Sequence, residues 1–314
     1  MSATFRFLLT RFIGLIFVLL ALSFITFIVG YFAPGDPIRD LMGPHYVPQV
    51  YQQLKHAYGL DLPWWQQYFN FLSHVMHGTF GLSFYFKGQS AWSIVQSGLP
   101  YSVDLGLEIL AVTLLIGIPV GAITAIHANT GIDTALTAIM MIFFAVPDIA
   151  LIVTFQILMV WLYQNGLPSL PPDGWNSWQS HVGPVLITAT TGAGYFARLT
   201  RTTVLETLGK DFVRTANAKG LHERVVMARH VLRYSSIPLI TSIGVSLGYL
   251  VTGIFITEKF FNIPGISQIT LTAIGQSDYP VIQAAVLLTG ASVVLFNALT
   301  DVVYVMVDPR IRLN

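Results

Sequence analysis

The stretch FIGLIFVLLALSFITFIVGYFA, residues Phe12–Ala33, decides the fold class, because it carries no charged side chain over 22 residues. As an α-helix it is about 33 Å long, enough to cross the hydrocarbon core of a membrane. A secretory signal has a shorter apolar region of about 7–15 residues before a cleavage site. This run ends instead in the turn Ala33-Pro34-Gly35-Asp36-Pro37. We therefore predict a retained membrane helix.

The composition extends this conclusion to the whole chain. Hydrophobic residues make up 54% of it and charged residues only 10%, which is far from the balance of a cytosolic domain. Five more apolar runs of membrane length follow the first: about Tyr101–Ile126, Ile132–Leu162, Val182–Leu199, Ile237–Ile256 and Pro280–Val307. We predict an all-α membrane protein of about six transmembrane helices, with kinks at Pro119 and Pro147.

The region between the first two runs has a different character. It spans roughly 65 residues and is rich in aromatic residues, proline and glycine, with amphipathic segments near Pro48–Tyr58 and Trp64–Met76. This pattern predicts an ordered outer subdomain. The expected division is residues 1–98 for the first helix and this subdomain, 99–308 for a five-helix core with a loop at 205–235, and 309–314 for a tail.

The cations define the orientation of the spans. Of the 16 Lys and Arg residues, 12 fall on one side if both termini are cytoplasmic: Arg6, Arg11, Arg198, Arg201, Lys210, Arg214, Lys219, Arg224, Arg229, Arg233, Arg310 and Arg312. The remaining 4 are Arg39, Lys55, Lys87 and Lys259. Cytoplasmic loops carry the excess of Lys and Arg, so the topology is predicted to be N-in and C-in.

Motif searches exclude most enzyme classes. The phosphate loop G-x-x-x-x-G-K-[ST] is absent, because Gly209-Lys210 is followed by Asp211 and lacks the leading glycine. H-E-x-x-H and G-x-S-x-G are absent too, and the chain contains no cysteine. The net charge of +1 does not suggest nucleic-acid binding. We therefore predict no catalytic, cofactor or metal site in this chain.

The most informative loop is KDFVRTANAKGL, residues 210–221. Asp211 is suited to be an N-cap and Gly220 to be the stop, which predicts a helix of about eight residues with Phe212, Val213 and Ala216 on one face. A helix this short does not hold alone in water. It docks either on the chain's own helices or on a partner protein. The alternative is a basic loop that only fixes topology and meets anionic lipid headgroups.

The run Phe212-Val213-Arg214-Thr215-Ala216-Asn217-Ala218-Lys219-Gly220-Leu221, followed by His230, Arg233 and Pro238, resembles the EAA loop of dipeptide and oligopeptide ABC importer permeases. It departs from the general pattern at Arg214, which stands at the glutamate position, and at Thr215, which stands at the first alanine. The resemblance implies a coupling helix seated in a cleft of the ATPase. The implied coupling residues are Asp211, Phe212, Val213, Arg214, Thr215, Ala216, Asn217, Ala218, Lys219, Gly220 and Leu221.

Other motifs in the same order extend the resemblance over nearly the whole chain. They are Tyr58-Gly59-Leu60-Asp61, Leu99-Pro100-Tyr101-Ser102, Ala145-Val146-Pro147, Arg198-Leu199-Thr200-Arg201, Glu258 to Gly265, Asp278-Tyr279-Pro280 and Asp308-Pro309-Arg310-Ile311-Arg312. The resemblance implies a type I importer permease in a prokaryotic plasma membrane, with a second homologous permease, two ATP-binding subunits that hold ATP and Mg, an extracytoplasmic substrate-binding protein, and lipid around it.

The substrate stays open at this stage. Di- and oligopeptides are the first expectation, and permeases of this type also serve nickel chelates, glutathione or oligosaccharides. Two other classes are an ion-coupled secondary transporter, which predicts inverted repeats and charges near the midplane, and a scaffold without transport.

Carboxylates inside the apolar runs are the candidates for the transport pathway. Asp104 and Glu108 are four residues apart and share a helix face, with Asp104 expected at headgroup depth. Glu108, Asp148 and Asp301 are candidates for pathway or inter-helix contacts. The segment Glu258–Tyr279 is either a re-entrant or outer-surface helix or a connecting loop, and the resemblance implies that it helps form an outer gate or the seat of the binding protein.

Overall fold

The protein is helical throughout, apart from an isolated bridge between Leu82 and Ser90, in a computed structural model that describes residues 3–33, 35–43, 46–250 and 254–307. The side chains of residues 3–11, 223, 249–250 and 301–307 are outside the description. The helices are α1 (Ala3–Phe32), α2 (Pro37–Met42), α3 (Pro48–Ala57), α4 (Trp64–Met76), α5 (Ala91–Ile126), α6 (Gly131–Ala145), α7 (Asp148–Gln164), α8 (Trp178–Leu208), α9 (Asp211–Ala218), α10 (Glu223–Val225), α11 (Leu232–Leu250), α12 (Phe255–Phe260), α13 (Ile266–Gly275) and α14 (Tyr279–Val307). A π-helical turn at Val226–Val231 joins α10 to α11.

Three of the described helices are long and apolar enough to cross a membrane: Phe12–Phe32 of α1, Ala91–Ile126 of α5 and Tyr279–Thr300 of α14. A fourth span results if α6 and α7 are counted together. The predicted runs at Val182–Leu199 and Ile237–Ile256 lie largely within the helices α8 and α11, which are less apolar, and residues 251–253 of the latter run lie outside the description. The count of six spans therefore stays a prediction.

The third predicted span, Ile132–Leu162, is not one straight helix. It bends by 89° between α6 and α7. Val146 ends α6 in an extended conformation, with ψ of 124°. Proline disfavours helical geometry in the residue before it and donates no backbone hydrogen bond. The kink predicted at Pro147 is confirmed, whereas α5 runs through Pro119 without a break.

The outer region contains the predicted amphipathic helices, as α3 and α4. α4 packs against α1 through aromatic rings, with Tyr68 5.2 Å from Phe27 and 5.4 Å from Phe24 between ring centroids. The Tyr68 hydroxyl also forms a hydrogen bond with Ser23 Oγ at 3.0 Å. These contacts confirm that the region is ordered rather than a linker.

The centre of the bundle is the long crossing of α5 and α8, which small residues bring close together. A Cβ added at Gly117 would lie 2.8 Å from Phe196 Cβ and 2.9 Å from the carbonyl oxygen of Ala193. A Cβ at Gly192 would lie 2.9 Å from Thr113 Oγ1. Small residues allow such close helix packing in membrane proteins. The crossing extends from the loop that follows α8 at one end to the segment that precedes α8 at the other.

Candidate functional site

The short helix α9 begins at its predicted cap residue, which is one residue earlier than expected. Lys210 is the N-cap, with extended dihedral angles, and Asp211 is the first helical residue. The prediction of Asp211 as N-cap is therefore wrong, and no side chain caps this end. The Asp211 carboxylate still lies in the first turn, where a negative charge is favourable. Gly220 follows α9 with φ of +74°, so the predicted glycine stop is confirmed.

α9 docks on its own chain. Val213 and Ala216 are buried in a cluster that we name the cytoplasmic cluster, after the predicted side of the membrane. Its other buried members come from the end of α5, from α8 and from the π-helical turn: Ala125, Val204, Val226 and Val231. The sequence leaves two docking partners open for α9, namely the chain's own helices and a partner protein. The structure shows that α9 packs on the chain's own helices. The side chains of α9 are therefore in direct contact with the ends of α5 and α8.

The predicted apolar face of α9 is wrong at one position. The Phe212 side chain is 40% exposed, and its ring contacts Tyr234 of α11 at 5.3 Å between centroids instead of entering the cluster. Leu221 and Val225 are exposed next to it. Around these apolar groups the exposed cations are Lys210, Arg214, Lys219, Arg224 and Arg229. We name the exposed side chains of residues 210–225 the coupling surface. An apolar patch with a charged rim is typical of a protein-binding site.

Sequence analysis missed the π-helical turn at Val226–Val231, because local residue types do not distinguish it from an α-helix. Such turns are rare and often occur at functional sites. Here the turn buries Val226 and Val231 against the cytoplasmic cluster and leaves Arg229 exposed. It connects the coupling surface to α11.

The predicted pathway residues are not brought together. Glu108 lies on α5 and pairs with His181 of α8, with Nδ1 3.0 Å from Oε1. Asp148, at the first turn of α7, accepts a hydrogen bond from Thr191 Oγ1 at 2.6 Å. Glu108 and Asp148 therefore make inter-helix contacts, while the side chain of Asp301 lies outside the description. Their role in a pathway stays a prediction.

An ion pair that sequence analysis missed connects α6 to α8. Arg201 donates from Nε to Asp133 Oδ1 at 2.9 Å and from Nη2 to Oδ2 at 2.8 Å, and Asp133 is buried. The sequence did contain a signal for this ion pair, since an aspartate and an arginine within apolar runs are expected to pair. Sequence spacing alone does not identify the partner.

Glu258 is the centre of an outer junction. Its side chain is fully buried, and its carboxylate accepts hydrogen bonds from Ser102 Oγ at 2.8 Å and from the backbone N–H of Ser267 at 2.9 Å. Further N–H groups at Ile254 and Gln268 lie at 3.3 Å. A Cβ on Gly265 would collide with this carboxylate. Glu258 therefore joins α12, the first turn of α13 and α5.

A second buried carboxylate, Asp278, precedes α14. It accepts hydrogen bonds from Ser83 Oγ and from the N–H groups of Phe84, at 3.0 Å, and Tyr85, at 3.3 Å. This connects the outer subdomain to the core. Of the two alternatives left open for the segment Glu258–Tyr279, α13 shows that it contains a helix and is not a plain loop. We name Glu258, Asp278 and their hydrogen-bond donors the outer junction, after the predicted side of the membrane.

Two solved structures have the same fold. A chain of the inward-facing MetNI methionine ABC transporter aligns with a TM-score of 0.54 at 20% identity, covering 68% of this chain and 96% of that chain. A chain of an amino acid ABC transporter with histidines aligns with a TM-score of 0.53 at 13% identity, covering 74% and 97%. The fold is thus that of an ABC importer permease.

Sequence comparison defines the family. Residues 117–313 match the family described as binding-protein-dependent transport system inner membrane component, and residues 4–106 match its N-terminal family. The chain belongs to the binding-protein-dependent transport system inner membrane components. A glutathione transport system permease protein, GsiC of Escherichia coli strain K12, is 32% identical over 307 residues, covering 98% of this chain and 99% of its own. GsiC of Salmonella typhimurium strain LT2 is 33% identical over 312 residues, with the same coverage.

Membership confirms several expectations from the sequence. The chain is a multi-pass permease subunit of an ABC importer in the bacterial inner membrane. It is not an ATPase and carries no cofactor, because ATP is bound by partner ATPase subunits. A substrate-binding protein and ATPase subunits are its partners. The ion-coupled transporter class does not fit this family.

Proposed function

We propose that this chain forms half of the translocation pathway for di- and oligopeptides, including small peptides such as glutathione. The supporting observation is its similarity over 98% of its length to permeases named for glutathione transport. The proposed complex contains a second homologous permease, two ATP-binding subunits and one extracytoplasmic binding protein.

The proposed topology is that of a type I importer, with six spans and both termini in the cytoplasm. The spans are α1, α5, the bent pair α6–α7, α8, α11 and α14. This arrangement puts the coupling surface and 12 of the 16 cations on the cytoplasmic side. It puts α3, α4 and the outer junction on the opposite side.

The proposed coupling element is α9 with the residues up to Leu221. It has the two faces that such an element needs. Val213 and Ala216 fix it to the ends of α5 and α8, while Phe212, Arg214 and Asn217 remain exposed for a partner. ATP-driven closure of the ATPase subunits then moves α9, and the α5–α8 crossing carries this movement toward the outer side.

A transport assay tests the substrate class. The purified complex is reconstituted in vesicles with its binding protein, and uptake of a radiolabelled tripeptide is measured with and without internal ATP, in competition with unlabelled peptides, a nickel chelate and a trisaccharide. Peptides that compete and uptake that requires ATP are the expected result. Competition by the nickel chelate or the sugar alone would contradict the proposed peptide substrate. Uptake driven by an ion gradient without ATP would contradict the ATP-driven mechanism.

A further inference from the structure

Two carboxylates of α5 and one histidine of α8 form a compact group outside the coupling surface. Ligand atoms of Asp104, Glu108 and His181 all lie within 4.8 Å of one another. The two acids are four residues apart, so one helix presents both toward the same side. The histidine comes from the first turns of a different helix.

The His181 ring is held in position by a neighbour that is not a ligand. Trp175 stacks on it with ring centroids 3.5 Å apart and an angle of 13° between the planes. The Nδ1 atom lies 3.0 Å and 3.3 Å from the two carboxylate oxygens of Glu108. In a tetrahedral zinc site with bonds of about 2.1 Å, two ligand atoms are about 3.4 Å apart. The Glu108–His181 distances of 3.0 Å and 3.3 Å are close to this separation.

The charge of the group is also unbalanced. Among the described side chains, no lysine or arginine forms an ion pair with Asp104 or Glu108, and the contact of Glu108 with His181 is its ion pair here. Asp104 is exposed, so a rotamer change can bring its carboxylate nearer without moving the backbone. Carboxylate and imidazole ligands suit borderline divalent ions, and three protein ligands leave one position for water.

We propose that Asp104, Glu108 and His181 bind one divalent transition-metal ion, which bridges the middle of α5 to the first turn of α8. The ion replaces the direct contact between His181 Nδ1 and the Glu108 carboxylate. The metal then links the two helices, so α5 and α8 can separate at this point only by breaking a metal–ligand bond. This site is independent of the proposed peptide substrate and of the coupling surface.

Zinc binding to the complete complex tests the proposal. The complex is purified with an affinity tag that contains no histidine, stripped with chelator, and titrated with Zn²⁺ by calorimetry, for the wild type, His181→Ala, and Asp104→Asn with Glu108→Gln. The wild type is expected to bind one more Zn²⁺ per copy of this chain than the double variant. His181→Ala is expected to lower the Zn²⁺ affinity of that site by at least about tenfold, because loss of even an outer hydrogen-bond partner of a metal ligand has an effect of this size.

Asp173→Asn is the matched control, because Asp173 is an exposed carboxylate near Trp175 that lies outside the group. It is expected to bind as the wild type does. Zn²⁺ is also expected to raise the apparent melting temperature of the wild type and of Asp173→Asn but not of the double variant. Equal stoichiometry and equal thermal shifts in the wild type and the correctly assembled double variant would overturn the proposal.

Discussion

The outer junction and the cytoplasmic cluster hold the chain together by opposite means. At the outer junction, buried carboxylates accept several hydrogen bonds each, as Glu258 does from Ser102 and Ser267. At the cytoplasmic cluster, α9 is held by the small apolar side chains Val213 and Ala216. Hydrogen bonds to a buried charge fix a geometry, because every stranded donor costs free energy, whereas apolar contact is non-directional. The outer junction is therefore held in a fixed geometry, whereas α9 is docked by non-directional contacts.

The largest effect is expected at Glu258. Glu258→Ala strands the Ser102 hydroxyl and several buried N–H groups, which destabilises the fold by about 3–5 kcal/mol. Glu258→Gln, which keeps one acceptor, should lose less. The measurement is reversible unfolding in mixed micelles. Glu206→Ala removes an exposed carboxylate and serves as control. Equal stability of Glu258→Ala and this control would show that the outer junction is not held by its carboxylate.

A smaller loss is expected in the crossing that separates the two regions. Gly117→Ala puts a methyl group 2.8 Å from Phe196 Cβ, so overpacking is expected to cost about 1–3 kcal/mol in the same unfolding assay. The matched control is Gly14→Ala in α1, where a Cβ meets nothing within 4 Å. Both substitutions raise the intrinsic helix propensity by the same amount. The difference between their free energies of unfolding therefore measures the cost of the contact with Phe196. If the two variants were equally stable, the close packing of α5 on α8 would be refuted.

At the coupling surface the expected loss is in transport rather than in folding. Arg214→Glu reverses an exposed charge that lies 3.9 Å from the carboxylate of Asp211, which is also exposed. Such a pair contributes little to stability. We expect ATP-dependent uptake to fall at least about tenfold, which corresponds to roughly 1.4 kcal/mol of lost interaction with the ATPase.

Lys87→Glu makes the same charge reversal at an exposed residue of the outer region and should leave uptake unchanged. The melting temperature of both variants should match that of the wild type. Uptake by Arg214→Glu equal to that of the wild type would show that the Arg214 side chain is not needed for coupling.

The smallest effect concerns pH in the outer subdomain. The hydrogen bond to Asp61 raises the pKa of His56, and the same contact lowers the pKa of Asp61. The stabilisation from His56 is present below its ordinary pKa and is lost as pH rises through the raised value. The stabilisation from Asp61 is present above its ordinary pKa and is lost as pH falls through the lowered pKa. Histidine NMR titration should give a His56 pKa above its ordinary value, and Asp61→Asn should return it. An unchanged titration in Asp61→Asn would contradict the pairing.

The sequence predicted those features that depend on local pattern. The amphipathic helices at Pro48 and Trp64, the kink at Pro147 and the glycine stop at Gly220 are confirmed, because each follows from periodicity or from the backbone preferences of proline and glycine. The cap of α9 was misplaced by one residue, because aspartate is favourable both at the N-cap and in the first helical turn. Phe212 was misassigned because it lies at the edge of the apolar face and Tyr234 gives it another contact.

The outer junction could not be predicted in this way. Glu258 accepts a hydrogen bond from Ser102, which is 156 positions away in the sequence, and Asp278 accepts one from Ser83, which is 195 positions away. The family resemblance includes both stretches, but their residues do not show that Glu258 and Asp278 are buried or which groups donate to them. Only the packing of α12 and α13 against α5 buries Glu258.

Cross-linking at Asn217 tests the proposed coupling role most directly. Asn217 is exposed on α9, and the chain has no cysteine of its own, so Asn217→Cys can carry a single benzophenone maleimide in the assembled complex. Irradiation should join this chain to an ATP-binding subunit, with a yield that changes on ATP binding. Lys87→Cys, labelled in the same way, should give no such product. An active, labelled Asn217→Cys complex without any cross-link to the ATPase would contradict the proposal that α9 is the coupling helix.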